Sequence, residues 1–283
     1  MSDFESLFDE LIEDSDHLDM KDPDPVGREK YIRGPFYGYM GCKYAMLDKI
    51  LPLLPKADSF IEVFGGTGTV LLNRPSSKIE VFNDRNSGVV SFFRALREDP
   101  EELIRRIELT PYSREDFVNF KMGSKNKTFT TDMERAHAWY CAIAMSYAGN
   151  TRTFQRWRDG SNHSMSVARL HERLPFLGLI RDRFQSVIIE NLDWRECIDD
   201  YDQPGAVFYL DPPYVDADVY STGMTRECHH ELCSRIKRVK GTVVLSGVPN
   251  DIYSSFKWDF YQEWPTSYNG PTWMRYECVC MKF

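Results

Sequence analysis

A short segment near residue 211 carries the residue types needed to hold an amino group. It reads Asp211-Pro212-Pro213-Tyr214 and directly follows the apolar run 206–210. Because proline has no backbone N–H, the polar groups left here are the Asp211 carboxylate and main-chain carbonyls, on a stiffened chain. Two acceptors match the two N–H bonds of an exocyclic amino group, and the Tyr214 ring offers a face for stacking. The segment is predicted to bind an amino-bearing base.

A glycine-rich turn predicts a second binding element. Residues 59–64 are predicted to form a buried strand that runs into Gly65, Gly66 and Gly68, and a strand at 79–82 ends beside Asp84. Glycines let a ligand approach the backbone closely, and a following helix presents free N–H groups. An acid at the end of the second strand commonly accepts hydrogen bonds from ribose hydroxyls. NAD, FAD and S-adenosylmethionine (SAM) sites share this layout; the alternative is a tight turn in which Asp84 only caps the next helix.

The elements that position these segments alternate between strand and helix. Further apolar runs at 186–190, 206–210 and 242–246 are predicted to be buried parallel strands. Strands that are apolar on both faces need helices on each side, which predicts a doubly wound α/β sheet. Such sheets bind ligands at the carboxyl ends of their strands, where both segments lie.

The central part of the chain interrupts this alternation. A long helix is predicted from Arg135 to Ala148, and a basic and aromatic segment covers 147–158. Residues 120–190 hold 11 Lys and Arg against 6 Asp and Glu. This combination suits phosphate contacts, base-edge hydrogen bonds and base stacking, and an ordinary basic loop is the alternative.

The overall charge of the 283-residue chain excludes little. The formal net charge is -8, and residues 1–30 alone carry 11 Asp and Glu against 3 Lys and Arg, so the rest balances to zero. Local basic patches attract phosphates whatever the total charge, which leaves nucleic-acid binding open.

Other features argue against several classes of protein. No apolar run approaches the ~18 residues of a membrane span, and the start of the sequence is acidic rather than signal-like. The seven scattered cysteines are typical of reduced thiols in a cytoplasm. Cys228, His229, His230 and Cys233 fit no standard zinc spacing, so we expect no metal site. No histidine pairs with a nucleophile signature, which disfavours a hydrolase.

The ordered set of motifs resembles the Dam-like DNA adenine N(6)-methyltransferases, the SAM-dependent alpha group with a DPPY motif. The matching pieces are Tyr39-Met40-Gly41-Cys42-Lys43, Phe64-Gly65-Gly66-Thr67-Gly68-Thr69-Val70, Asn83-Asp84-Arg85-Asn86 and Asp211-Pro212-Pro213-Tyr214. The resemblance extends from about residue 34 to the C-terminus and leaves out residues 1–30. Tyr39 stands where the family carries tryptophan, and Cys42 replaces a glycine.

The resemblance implies a role for each matched residue. The implied SAM-binding residues are Tyr39, Lys43, Phe64, Gly65, Gly66, Gly68, Asp84, Asp193 and Asp211, with Asp84 on the ribose and Asp193 on the adenine ring. The implied catalytic residues are Asp211, Pro212, Pro213 and Tyr214, which would hold a flipped adenine. The implied DNA-binding residues are Asn150, Arg152, Gln155, Arg156 and Arg158, with Tyr147 and Phe154 filling the gap left by the flipped base.

The resemblance also predicts the organisation and the activity. It implies a Rossmann-like methyltransferase sheet with an inserted, mostly helical domain. It assigns 31–100 and 186–283 to the SAM-binding catalytic domain and 101–185 to the DNA target-recognition domain. Residues 1–30 lie outside the resemblance, and their apolar spacing and acidic composition predict a helix and a linker. The expected reaction is methylation of adenine N(6) in double-stranded DNA, in the cytoplasm of a bacterial or phage-infected cell, in a restriction-modification or phage setting. The alternatives are an enzyme acting on RNA or cytosine, or an inactive DNA-binding relative.

Overall fold

A seven-stranded sheet forms the centre of the protein. The computed structural model describes residues 31–36, 38–39, 41–155, 163–215, 224–267 and 274–283. The strands are β1 (Ser59–Glu62), β2 (Ile79–Asn83), β3 (Ile188–Glu190), β4 (Ala206–Leu210), β5 (Thr242–Gly247), β6 (Phe260–Ser267) and β7 (Met274–Lys282). Their order in the sheet is β3-β2-β1-β4-β5-β7-β6. Strands β1 to β5 are parallel, and β7 is antiparallel to both β5 and β6. The predicted α/β sheet with its parallel strands is confirmed, and the antiparallel strands β6 and β7 make the sheet mixed.

Helices cover both faces of the sheet. They are α1 (Leu47–Ile50), α2 (Thr69–Asn73), α3 (Ser87–Glu98), α4 (Pro100–Glu108), α5 (Arg114–Asn126), α6 (Asp132–Ala144), α7 (His163–His171), α8 (Leu177–Phe184), α9 (Trp194–Tyr201), α10 (Arg226–Ile236) and α11 (Asp251–Ser255). Short 3-10 helices lie at Lys43–Met46, Leu51–Leu53, Tyr147–Gly149 and Leu174–Phe176. Residues 43–53 therefore form three short helical pieces, and Pro52 in the last piece cannot donate the backbone hydrogen bond of a continuous helix.

Alternate residues of each central strand enter two apolar cores. Phe60 and Val207 belong to one core, and their neighbours Ile61 and Phe208 belong to the other. All four side chains are buried, as the period-two geometry of a strand requires when both faces are covered. The apolar runs in the sequence predicted this arrangement.

The helices between residues 100 and 184 extend one of these cores. The Phe184 ring of α8 stacks on Phe93 of α3 at 4.3 Å and meets Phe82 of β2 edge-on at 5.3 Å. Tyr140 of α6 stacks on Phe92 at 5.8 Å. The region predicted as an inserted domain is thus anchored to the sheet by aromatic packing, and its role in target recognition stays a prediction.

Other predictions concern the chain ends and the cysteines. The acidic helix and linker predicted within residues 1–30 lie outside the described residues. Across the described part of the chain, no helix is both long enough and apolar enough to cross a membrane. Cys278 and Cys280 are buried in β7.

Candidate active site

A cavity of about 880 Å³ opens at the carboxyl ends of the parallel strands. The turn after β1, the end of β2 and the segment after β4 all contribute to its wall. The predicted site residues that line it are Tyr39, Lys43, Phe64, Gly65, Gly66, Asp84, Asn150, Arg152, Asp211, Pro212 and Pro213. Segments far apart in the chain therefore meet where the sheet topology predicted a ligand site.

The glycine turn is packed too closely to accept side chains. A Cβ atom at Gly65 would lie 2.2 Å from the Phe82 ring. Gly66 has φ +52, and a Cβ there would lie 3.3 Å from the Tyr39 ring. Gly68, with φ +65, precedes α2 and donates its N–H to the Gly65 carbonyl at 2.8 Å. The turn forms as predicted and leaves the Tyr39 ring beside an open backbone.

Asp84 ties the end of β2 to this turn. Its Oδ2 accepts the Gly66 N–H at 2.8 Å, and its Oδ1 accepts the Asn86 N–H at 2.7 Å. Burial raises the pKa of the Asp84 carboxyl, and the two backbone hydrogen bonds oppose that shift. The capping role considered for Asp84 is wrong, because the Asn86 side chain caps α3 by accepting the Gly88 N–H at 2.9 Å, whereas contact of Asp84 with a ligand stays a prediction.

Asp211 is paired with a buried lysine. The Lys43 ammonium lies 2.7 Å from Asp211 Oδ1, with side-chain exposures of 4% and 15%. Lys43 also donates to the Tyr214 hydroxyl at 3.1 Å and to the Gly41 carbonyl at 3.2 Å. The ammonium lies 5.1 Å from the centre of the Tyr214 ring. Lys43, expected beside a cofactor, is thus also in direct contact with the segment expected to hold a base.

Two buried hydroxyls orient the same carboxylate. Ser246, in β5, donates to Asp211 Oδ1 at 3.2 Å, and the Tyr209 hydroxyl lies 2.7 Å from Ser246 Oγ. Both hydroxyl-bearing residues are nearly inaccessible to solvent. Sequence reasoning gave them no such role, although a serine inside the apolar run 242–246 is a usable signal.

Glu62 is a further acidic residue of the cavity that sequence reasoning missed. It ends β1, is 3% exposed, and its Oε2 accepts the Leu71 N–H at 3.1 Å. Burial raises the pKa of Glu62 to about 8, and the nearby Asp211 charge adds to that effect. The available signal was an acid inside an otherwise apolar strand.

Asp193 caps a helix and lies outside the lining of the cavity. It caps α9 by accepting the Arg195 N–H at 3.0 Å, and it pairs with Arg85 and Arg195 at 3.0 Å each. Its neighbours Leu192 and Trp194 line the cavity, whereas Asp193 is not among the lining residues. The helix cap accounts for its position, and its contact with a cofactor stays a prediction.

The residues predicted to contact DNA are exposed, half-buried, or outside the described residues. Tyr147 is 61% exposed, and Arg152 is exposed at the cavity wall. Asn150 uses its side-chain oxygen to accept the Arg152 N–H at 2.8 Å, which shapes the loop. Phe154 is half-buried and packs against Tyr112 and Phe117. Gln155 is half-buried as well, and Arg156 and Arg158 lie outside the described residues.

The packing of Phe154 favours a structural role over gap filling. Its ring lies 5.4 Å from Tyr112 and 5.7 Å from Phe117, so leaving this cluster would uncover apolar surface. The Tyr147 side chain is already exposed to solvent, so moving its ring would uncover no comparable apolar surface. Tyr147 is therefore the better candidate for filling the gap left by a flipped base.

The cysteine and histidine cluster of α10 is dispersed. His229 is fully buried, with its Nδ1 2.7 Å from the Tyr253 hydroxyl. Within the described ranges, no group of three or more His, Cys, Asp or Glu side chains is arranged to hold a metal ion.

Comparison with known proteins places this site in a family context. The family model described as D12 class N6 adenine-specific DNA methyltransferase matches residues 39–275. Modification methylase StsI of Streptococcus sanguinis is 38% identical over 82 residues, which are 28% of this chain and 12% of that protein. Type II methyltransferase M.FokI of Planomicrobium okeanokoites is 36% identical over 88 residues, 29% and 13% of the two chains.

A third relative matches along more of the chain. Type II methyltransferase M1.LlaDCHI of Lactococcus lactis subsp. cremoris is 25% identical over 190 residues, which cover 64% of this chain and 66% of that protein. The match to each of the first two relatives, by contrast, spans only about an eighth of their length. The matched family segment includes the glycine turn, Asp84 and the segment 211–214.

Proposed function

The chain belongs to the D12 class N6 adenine-specific DNA methyltransferase family, and we propose that it transfers a methyl group from SAM to the N(6) amino group of a flipped adenine in duplex DNA. The observation that carries this proposal is the placement of the Asp211 carboxylate. It lies at the end of β4, in the same cavity as the glycine turn and Asp84. The family match supports the reaction, and the cavity supports its location.

The residues of the cavity fit SAM. A volume of about 880 Å³ is ample for a ligand of that size. The Tyr39 ring beside Gly66 offers an apolar surface with close access to the backbone. The Asp84 carboxyl group, in the same cavity at the end of β2, is placed to accept hydrogen bonds from ribose hydroxyls. When bound, SAM supplies an electrophilic methyl group on a positively charged sulfur.

The Asp211 segment would prepare the target nitrogen. The amino lone pair of adenine is delocalised into the ring, which makes the nitrogen a weak nucleophile. The Asp211 carboxylate and the Pro212 carbonyl would accept its two N–H bonds and favour a tetrahedral nitrogen with an available lone pair. The carboxylate also lies where positive charge develops on that nitrogen, and an oriented charge of this kind stabilises a transition state strongly. Holding the base in position contributes further to the rate.

Lys43 and Tyr214 complete the base site. Lys43 pairs with Asp211 at 2.7 Å, so the carboxylate is neutralised while the base is absent. The incoming amino group competes for the same acceptor, and Lys43 can keep its bond to the Gly41 carbonyl as the pair loosens. The Tyr214 ring is proposed to stack on the flipped base, because the target atom is poorly accessible within a duplex.

The decisive test is transfer of a labelled methyl group from SAM to unmethylated duplex DNA, followed by nucleoside mass spectrometry. We expect N(6)-methyladenine with the wild type and none above background with Asp211→Ala. Label in RNA, or in N(4)-methylcytosine, would overturn the substrate assignment. Measurable SAM binding without any transfer would indicate an inactive relative, and failure to bind SAM would overturn the proposal as a whole.

A further inference from the structure

The cavity at Asp211 continues into a groove lined with lysines. Lys121 and Lys125 lie on α5, and Lys127 directly follows that helix. We call these three residues the lysine groove. They line the same cavity as Asp211, together with residues of α3 and α6. None of the three was predicted as a site residue from the sequence.

The basic side chains in and beside the lysine groove differ in whether an acidic partner neutralises them. Arg135 of α6 is paired with Asp132 at 2.7 Å. Lys121 donates to the Arg152 carbonyl at 2.8 Å, a contact that leaves its charge uncompensated. The side chains of Lys125 and Lys127 are exposed and have no hydrogen-bond or ion-pair partner among the residues that the structure describes. The groove therefore carries a net positive charge available to a ligand.

Lys127 occupies a backbone position that favours glycine. It ends α5 in the left-handed conformation, with φ 55 and ψ 37, and the Thr128 N–H closes the turn on the Gly123 carbonyl at 3.0 Å. A side chain at such a position is strained, and glycine is the usual residue there. The turn itself gives no reason for a lysine. A cation near a helix C-terminus also interacts favourably with the helix dipole, and that is the competing explanation.

We infer that Lys121, Lys125 and Lys127 bind the backbone phosphates of the DNA duplex whose adenine enters the Asp211 site. The inference rests on the proposed function and adds to it the surface that holds the duplex. Lysine ammonium groups contact phosphates as point charges and fix the register of a duplex without reading its sequence. These lysines are thus expected to position DNA, whereas Asn150 and Arg152 stay candidates for base recognition.

The test uses Lys127→Gly, alone and combined with Lys125→Gln. Lys127→Gly removes the charge and relieves the left-handed strain, so its folding stability should be equal to or above that of the wild type. Each lost phosphate contact should weaken duplex binding about tenfold at 0.1 M salt and reduce the slope of log affinity against log salt by about 1. The double variant should lose about a hundredfold, with a KM for DNA that rises while kcat at saturating DNA stays near the wild-type value.

The matched control is Lys56→Gln combined with Lys240→Gln, which removes two exposed charges away from the cavity lining. Its DNA affinity and salt slope should stay within about twofold of the wild type. If a groove variant has the same DNA affinity and salt slope as this control and still methylates DNA, the inference is wrong and the proposed function stands. A wild type that binds SAM but neither binds nor methylates duplex DNA would overturn both. Lys127→Arg keeps the positive charge. Wild-type affinity for duplex DNA in this variant, beside a loss in Lys127→Gly, would confirm that the charge at position 127 binds DNA.

Discussion

The end of the sheet and the lysine groove hold their charges in opposite ways. At the sheet, Asp211 is bound by Lys43 and Ser246, and Asp84 accepts two backbone N–H groups. In the groove, Lys125 and Lys127 extend into solvent with no partner in the described part of the chain. The end of the sheet holds individual charged atoms in fixed positions, whereas the lysine groove presents a diffuse positive potential to the solvent.

This difference predicts how each region responds to change. A buried, paired charge is costly to disturb, because removing one partner leaves the other uncompensated in a poorly solvated place. Exposed charges are screened by salt and contribute in small, separable amounts. Substitutions at the sheet should therefore have large effects that depend little on salt, whereas those in the groove should be smaller, additive and salt-dependent.

The largest effect is expected for Asp211→Asn. The variant keeps the shape of the side chain but cannot place a negative charge beside the reacting nitrogen, so single-turnover methyl transfer should fall about 10³-fold. SAM affinity, measured by calorimetry, should change little. Asp58→Asn, at an exposed position paired with Lys78, is the matched control and should keep full activity. A loss smaller than tenfold would contradict the proposed role of the carboxylate.

Asp84→Asn should act on binding rather than on chemistry. The substitution removes a charged acceptor and turns an amide donor toward the N–H groups of Gly66 or Asn86. Because hydrogen bonds to charged groups contribute about 1.5–3 kcal/mol, SAM affinity should fall roughly 10- to 100-fold. The rate at saturating SAM should be affected much less. Unchanged affinity in a folded variant would exclude Asp84 as the ribose acceptor.

Tyr147 and Phe154 provide a comparison within the helical region. Phe154→Ala should lower the free energy of unfolding by about 2 kcal/mol, since its ring packs between Tyr112 and Phe117. Tyr147→Ala should leave stability unchanged, because this side chain is 61% exposed. Its catalytic efficiency on duplex DNA should fall about tenfold, with a smaller loss when the target adenine is mismatched and flips more easily. Equal losses on both substrates would argue against gap filling.

An effect on stability rather than on activity should appear as a pH dependence at Glu62. The ordinary pKa is 4.5, and burial raises it to about 8 in the folded protein. Between these values the folded protein keeps a proton that the unfolded chain releases, so the free energy of unfolding should fall by about 1.4 kcal/mol per pH unit as pH rises.

Glu62→Gln isolates this contribution. Glutamine cannot ionise, yet its side-chain oxygen can still accept the Leu71 N–H. In urea titrations at pH 6, 7 and 8, the variant should gain stability relative to the wild type as pH rises. Parallel curves for the two proteins would show that Glu62 is already ionised in the folded state.

Local signals in the sequence were enough for the five parallel strands and for the glycine turn. The apolar runs predicted the five parallel strands to within a few residues, and the tight turn at 65–68 follows from glycine itself. Helix boundaries were less accurate. The helix predicted from Arg135 begins at Asp132, because Thr131 and Glu134 form a capping box, and it ends at Ala144.

The sequence by itself determined which functional groups are available for the reaction, because the order of the motifs and the stiffness of segment 211–214 are properties of the chain. Only the tertiary structure decided their partners. Lys43 and Tyr214 are 171 positions apart yet hydrogen-bonded, and the pKa of Glu62 is raised because neighbouring elements bury its side chain. Phe154 is half-buried rather than free for the same kind of reason. Burial and long-range pairing depend on how elements pack, and the local periodicity of a sequence does not carry that information.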